Sequence, residues 1–486
     1  MRRFLALVLI AGLATLPGCR KQPEGALKVI VIGDVPKLRD PAAGPLSPSD
    51  QVLLANVAQG LVRFDASGNI VSGLAERWTV TDDGLSYIFR IAAANWPDGR
   101  RITAEQVARL LKRNIAGRSK NSLKDAFGAV EDIVAMTDRV IEIRLIAPRP
   151  DLLSLLAQPQ MAILRNGEGT GPFTASLQPG IDDIKLTRDI LSPDEARTSR
   201  EQLLLAGDPA PEAIQAFAAA SADLVVGGTF ADLPLVQRVK LPRNSLQFDP
   251  ASGLFGLVPM RNSGLVADIE ARSVLSQAID RDALVAALGV PGLAARATLL
   301  EPDIDGLPPP VQPSWAAVPL AQRRAALIAS AARLFGGQKD LTVSVFLPKG
   351  SGADILLSRL VADWSPLGLT VEQASSPASA DFALVDAVAP ATSPAWFVRQ
   401  FRCGIVAVCD DDADKLMDAA RQTPVPAQRY ALYGQAAAAI EQQQLFIALT
   451  APVRWSLVSQ RVQNFAGNRY ARHTLTDLEN KPSGGD

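Results

Sequence analysis

Histidine is the scarcest of the residues that carry chemistry. The 486-residue chain holds one, His473, beside three cysteines, 49 Lys and Arg and 50 Asp and Glu. A Ser-His-Asp triad has little room with a single histidine, and no Gly-x-Ser-x-Gly elbow exposes a serine nucleophile. No Gly-x-x-x-x-Gly-Lys-Ser/Thr loop offers its backbone to phosphates. Carboxylates are plentiful, but none is set off as the facing pair that glycoside hydrolysis needs. Imidazole suits nickel, and a two-cysteine zinc site is short of ligands when the only histidine lies far off. His473 reads as an ordinary surface or core residue. The expectation is a protein without catalytic residues, metal or cofactor: a binder, not an enzyme. A net charge of −1 suggests no polyanion, so no nucleic-acid partner is expected.

Binding residues must be held by elements, and these are legible in the periodicity. Hydrophobic residues make up 48% and charged residues 20% of the chain, a globular balance, and the length suggests two or three substructures. Leu27–Gly33 reads as a buried strand. Asp50–Leu61 reads as a helix capped by Ser49. Leu61–Phe64 and Ile70–Val71 flank an Asp/Ser/Gly/Asn turn, and Trp78–Val80 and Tyr87–Ile91 flank Asp82-Asp83-Gly84, two strand–turn–strand signals. Thr103 caps a helix to Asn114, with Gln106 at the capping-box position. Ile269–Leu288 reads as one long helix. From Leu320 to Val385 helices alternate with short strands, an α/β unit with a parallel element. Asp412–Ala420 and Gln428–Gln442 are helices, and the polar tail 481–486 is frayed.

The start of the chain sets the compartment. Arg2-Arg3, the apolar run Phe4–Leu16, and Leu16-Pro17-Gly18-Cys19 before Arg20-Lys21 follow the order of a secretory signal peptide. Gly18-Cys19 resembles a bacterial lipobox. On that resemblance residues 1–19 are a lipoprotein signal and Cys19 carries the lipid, so the protein is expected outside the cytoplasm, membrane-anchored by lipid, and periplasmic. Cys403 and Cys409 are then an even pair in an oxidising compartment and are expected to form a disulfide.

Six ordered signatures carry a wider resemblance. They are Gly60-Leu61-Val62-Arg63-Phe64-Asp65 with Gly68; Leu74-Ala75-Glu76-Arg77-Trp78 before Asp82-Asp83-Gly84; Asp98-Gly99 before Thr103-Ala104-Glu105-Gln106-Val107; Gly169-Thr170-Gly171-Pro172-Phe173; Asn262 with Ala278-Ile279-Asp280-Arg281; and Cys409-Asp410 before Arg429-Tyr430-Ala431-Leu432-Tyr433. Together the chain resembles the peptide, nickel and oligosaccharide class of ABC-transporter solute-binding proteins, family 5. The resemblance implies an α/β fold of two lobes, the type II (cluster C-like) periplasmic-binding-protein fold. The first lobe would hold 24–260 plus 453–480, with an extra subdomain over about 50–165, and the second lobe 261–452. It also implies a monomer that closes on a solute and delivers it to ABC permease subunits in the membrane. The alternative is an orphan binding lipoprotein that acts as a sensor or chaperone-like subunit without a permease.

The peptide-binding members of that class place an aspartate after a Gly-Trp pair to meet the ligand's amino group. Here the segment is Phe382-Ala383-Leu384-Val385-Asp386-Ala387-Val388-Ala389-Pro390-Ala391-Thr392-Ser393-Pro394. Pro390 stands about where that aspartate belongs, and Ser393 replaces the aspartate before Pro394. Ordinary peptide binding is therefore in question. The ligand-binding candidates are Asp34 after the first strand, Asp386 as a displaced anchor, Trp396 as a stacking surface, and Arg399 as a partner for an anionic group.

Overall fold

The structure is a computed structural model that describes residues 25–177, 182–191, 198–336, 341–476 and 478–480. The leader with Cys19 and the tail 481–486 lie outside the described residues.

Two sheets organise the chain. The first has seven strands, in the spatial order Leu246–Phe248, Arg454–Val458, Leu224–Thr229, Leu27–Ile32, Thr198–Asp208, Ile184–Leu191, Thr174–Leu177. Leu27–Ile32 runs parallel to both its neighbours. It is buried on both faces, as its unbroken apolar sequence requires. The second sheet has five strands, ordered Thr370–Gln373, Thr342–Phe346, Phe382–Val388, Gly253–Pro259, Ile447–Thr450. Its parallel pairs, Thr342–Phe346 with Thr370–Gln373 and with Phe382–Val388, are the parallel element the sequence announced between 320 and 385.

The chain passes between the sheets twice, at 249–252 and at 451–453. Gly253–Pro259, expected in the first lobe, pairs instead in the five-stranded sheet. An all-apolar strand carries no mark of which sheet it joins, so the sequence misplaced this step. A third sheet of four antiparallel strands, Ala75–Val80, Ser86–Ile91, Val140–Leu145 and Val130–Thr137, packs on helix Ala104–Ile115. It has its own buried cluster around Phe89, Trp96 and Leu111.

Local chemistry explains the element ends. The helix predicted from Asp50 begins at Pro48, and its cap is Ser47, not Ser49. Ser47 Oγ accepts from Asp50 N at 3.1 Å, and Asp50 accepts in return from Ser47 N at 3.4 Å. Pro48 suits the first helical position because no N–H is needed there. Thr103 caps its helix as expected, but Gln106 turns its side chain to Trp96 Nε1 at 2.8 Å and leaves the box half made. The long helix predicted over 269–288 is two, Ile269–Ala278 and Arg281–Leu288. Asp280 breaks it, accepting from Ala283 N at 2.9 Å as the cap of the second helix. In Gly169-Thr170-Gly171 the glycines let the chain pass against the end of helix Pro48–Val57. A Cβ at Gly171 would lie 2.4 Å from the Val57 carbonyl carbon. That motif serves the fold, not a pocket.

The main core runs through both sheets, from Ile30 and Val225 to Phe255 and Val345. Phe230 meets Phe255 edge-on, with ring centroids 4.8 Å apart.

Candidate functional site

Polar side chains gather where the two sheets and the four-stranded subdomain meet. Strand Phe382–Val388 ends there and delivers Asp386. Arg454 opens its own strand directly after the second crossing. Its Nη1 donates to Asp386 Oδ1 and Oδ2 at 2.8 and 3.0 Å and to Val453 O at 2.9 Å, and Nη2 reaches the Asp386 carbonyl at 3.3 Å. Both side chains are about 15% exposed. Burial pushes the Asp386 carboxyl above the usual carboxylate range, and the Arg454 charge and hydrogen bonds only partly oppose it.

Four residues beyond, Pro390 supplies a backbone carbonyl. Gln158, buried in the subdomain, donates to it from Nε2 at 2.9 Å. The other end of the same amide accepts from Arg472 Nε at 3.2 Å, and Arg472 Nη1 donates to Gln51 Oε1. One relay thus joins helix Pro48–Val57, the C-terminal segment, the subdomain and the five-stranded sheet. Arg472 makes no ion pair with a described carboxylate, and burial with the nearby Arg454 charge draws its pKa down to about 10. A cavity of about 100 Å³ opens beside it, lined by Gln51, Arg63, Gln158, Arg472 and His473 among others. His473 pairs with Asp249 at 3.2 Å and stacks on Phe465, with ring centroids 4.6 Å apart.

The residues singled out from the sequence fall in three places. Asp34 stands exposed just past the first strand and makes no side-chain hydrogen bond among the described residues. Asp386 lies in the seam, already engaged by Arg454, so an amine arriving there competes with a guanidinium. Trp396 and Arg399 lie together on helix Pro394–Arg399. They line a cavity of about 520 Å³ that the turn Lys124–Phe127, Arg149 and Tyr433 also border. Trp396 meets Phe397 edge-on at 5.0 Å. Below this helix Cys403 and Cys409 are disulfide-bonded, with Cα atoms 5.2 Å apart. The seam residues Gln158, Arg454 and Arg472 carried no sequence signal. None stands in a motif, and their partners lie far off in sequence: Arg454 meets Asp386 across 68 residues, Gln158 meets Pro390 across 232 and Arg472 across 314.

The arrangement is recognisable. A family model described as bacterial extracellular solute-binding proteins, family 5 Middle, matches residues 69–386, well over half the chain. Among curated proteins the chain is 26% identical over 144 residues to the probable deoxycholate-binding periplasmic protein YgiS of Escherichia coli. That segment is 26% of this chain and 27% of YgiS. It is 29% identical over 123 residues to the dipeptide-binding protein DppE of Bacillus subtilis, 22% of each chain. The aligned segments span 27% or less of these curated relatives. Solved structures match at full length. The murein tripeptide-binding protein MppA of E. coli superposes with a TM-score of 0.79 at 18% identity, covering 94% of this chain and 99% of that one. OppA of Haemophilus influenzae, in complex with the peptide RPPGFSPFR, gives 0.78 at 17% identity with the same coverage. AgaA of A. tumefaciens R10, in complex with agropinic acid, gives 0.72 at 17%, covering 95% and 99%. These structural likenesses establish the two-lobed periplasmic-binding-protein fold, and the family model identifies the lineage: the chain belongs to the bacterial extracellular solute-binding proteins, family 5.

Proposed function

We propose that this chain is the solute-binding component of an ABC import system, closing two lobes on a small molecule and presenting it to a membrane permease. On this reading the first lobe comprises residues 25–252 and 454–480, the second 253–450, and the crossings at 249–252 and 451–453 are the hinge. Two strand crossings are few enough to absorb a rotation while each sheet stays intact. Cys19 carries the lipid that keeps the protein beside its permease, several acyl chains giving firm anchoring where one gives marginal binding.

The observation that carries the reading is the seam itself. A binding protein that closes needs polar partners at the lobe interface that are satisfied both when shut and when wet. Asp386–Arg454 and Gln51–Arg472–Gln158–Pro390 are such partners. At the seam the solute would meet Asp386, with Gln158 and Arg472 beside the neighbouring cavity; Trp396 and Arg399 offer a separate recess, and Asp34 stands exposed past the first strand. Because Pro390 stands at the position of the amine anchor and Asp386 is held by Arg454, the solute is not selected by a free α-amino group. DppE is named a dipeptide-binding protein and YgiS a probable deoxycholate-binding one, and OppA and AgaA are solved with the peptide RPPGFSPFR and with agropinic acid, a range that fits a family whose pocket diverges while its fold persists.

Thermal unfolding against free and N-acetylated peptides, bile acids, opines and sugars tests this. A ligand at about 100 times its dissociation constant stabilises by roughly 2.7 kcal/mol, which is seen as a raised midpoint. A solute from these classes is expected to raise it, with amino-blocked and free peptides behaving alike. Stabilisation by free-amine peptides only would overturn the pocket reading. Stabilisation by none of the classes, with no growth defect on deleting the gene on any of them, would overturn the transport reading.

A further inference from the structure

The cavity behind Trp396 and Arg399 has a charge imbalance that the fold does not resolve. Four arginines, Arg149, Arg399, Arg402 and Arg421, and Lys124 line it, with Asp125 and Asp151. Most of these cations are spoken for. Arg149 pairs with Asp151 at 3.2 Å, Arg402 with Asp418 at 2.8 Å, and Arg421 lies 3.6 Å from Asp418. Lys124 donates to the carbonyls of Gly117 and Ser119 at 2.9 and 2.7 Å. The Arg399 guanidinium alone makes neither a hydrogen bond nor an ion pair among the described residues. It is only partly exposed, and burial lowers its pKa. Asp125 opposes that shift, while Arg149, Arg421 and Arg402 add to it. A guanidinium has five donors and cannot shed its charge in water. Held beside three others in a recess, it favours an anion.

A second observation lies next door. A cavity of about 90 Å³ shares Arg149, Asp151, Ala395 and Tyr433 with the larger one. Arg429, 4% exposed, lines it; its Nη1 donates to the Pro148 carbonyl, but its buried Nη2 has no hydrogen-bond partner. A buried donor without an acceptor costs about 1–3 kcal/mol, and such gaps in native structures ask for an explanation. An unspent guanidinium donor thus lies next to the recess, in a cavity that Asp151 and Asp305 also border. The larger cavity, at about 520 Å³, falls within the range that encloses a small organic ligand, and it offers the aromatic faces of Trp396 and Tyr433.

We propose that this recess, between the subdomain and helix Pro394–Arg399, binds an organic anion bearing a carboxylate or phosphate, with Arg399 meeting the charge and Trp396 carrying the body of the molecule. The inference rests on the chain being a solute receptor and adds the class of solute and the place of its charged end.

The test titrates the protein by calorimetry and by tryptophan fluorescence with inorganic phosphate, citrate and phenylacetate, at constant ionic strength, through the millimolar range. At least one is expected to bind. Phosphate binding alone would identify a phosphate-bearing solute, and citrate or phenylacetate binding a carboxylate. Arg399→Gln should weaken that binding about tenfold or more, a loss of about 1.4 kcal/mol, and Arg399→Lys should fall between. Trp396→Phe should abolish the fluorescence change. Arg200→Gln, which removes an exposed arginine of the seven-stranded sheet, should match wild type, and unfolding midpoints of each variant check that it folds. Binding by none of the three anions overturns the proposal. So does binding that survives Arg399→Gln, and in that case the receptor reading stands with its ligand returned to the lobe seam.

Discussion

Arg454 reaches out of the seven-stranded sheet to hold both carboxylate oxygens of Asp386, in the five-stranded sheet, at 2.8 and 3.0 Å. The two partners are not equivalent. Arg454 keeps backbone acceptors at Val453 and Asp386 whatever stands at 386, whereas the Asp386 carboxylate has no other side-chain partner among the described residues. Arg454→Met should therefore cost about 3–5 kcal/mol at pH 7, the range for orphaning a buried charge. Asp386→Asn should cost less than half as much. Acid should reverse the first effect. Burial raises the folded-state pKa of Asp386, so the native state binds its proton more tightly than the unfolded chain does. The contribution of Asp386 is then full below the ordinary carboxylate pKa of about 4 and falls as pH rises through the raised value. Losing Arg454 lifts that value further, so the deficit of Arg454→Met should shrink on acidification. Denaturant unfolding from pH 4 to 8 measures it, and a deficit that grows in acid would refute the assignment.

Gln158 is the second tie across the seam. Gln158→Ala leaves the Pro390 carbonyl and Arg472 Nε each short of a partner, at about 1–3 kcal/mol if both stay buried. Should the seam open instead, water pays little and the stability loss is small, but the radius of gyration rises. Small-angle scattering beside denaturant unfolding separates the cases. A variant with unchanged stability and unchanged radius would remove Gln158 from the ties across the seam.

Much of the fold is legible in the sequence because local rules govern it. The apolar run Leu27–Ile32, the Asp/Gly turns at 65–69 and 82–84, and Thr103 as a cap each follow from nearest-neighbour chemistry. The errors arise where locality ends. The Ile269–Leu288 periodicity hides a break because Asp280 fits a helical pattern while its side chain prefers to cap. Gly253–Pro259 changes sheet without a compositional signal. At the candidate site, Trp396 and Arg399 were singled out for their chemistry, an aromatic face and a guanidinium in the segment after Phe382–Val388. Gln158, Arg454 and Arg472 were not, because a polar residue's role here depends on partners as distant as Gln158 is from Pro390 and from Arg472.

Arg281 closes the Ala-Ile-Asp-Arg signature and shows why such motifs mark the fold. Its guanidinium is fully enclosed and donates to the carbonyls of Ser276, Ala448 and Arg296 at 2.7–3.0 Å. It also lies over Trp315, 5.0 Å from the ring centroid. Burial first, then the Arg323 charge, draws its pKa down to about 9. Arg281→Met should destabilise by about 2–4 kcal/mol, because three carbonyls lose a donor at once. Arg281→Lys should recover only part, since one ammonium does not span the fork. Thermal unfolding of the two variants decides, and a lysine variant as stable as wild type would show that charge, not geometry, is what the site needs.

The disulfide between Cys403 and Cys409 closes a short loop, with a sequence separation of 6, and that brevity bounds its effect. The loop-closure model gives about 2 kcal/mol for a ring of this size, modest for a chain whose sheets are elsewhere. Its local effect should be larger. Arg402, next to Cys403, holds Asp418 on helix Asp411–Gln422, and Cys403 N donates to Asp414 at 3.2 Å. The bond therefore fixes the register between that helix and Pro394–Arg399. Cys403→Ala with Cys409→Ala should lower the unfolding free energy by no more than about 2 kcal/mol, yet speed backbone hydrogen exchange over residues 400–410 well beyond that of the seven-stranded sheet. Reductant added to wild type should reproduce the pattern. Uniformly faster exchange across both sheets would mean that the bond supports the whole fold, and exchange unchanged at 400–410 would mean that the two helices hold their register without it.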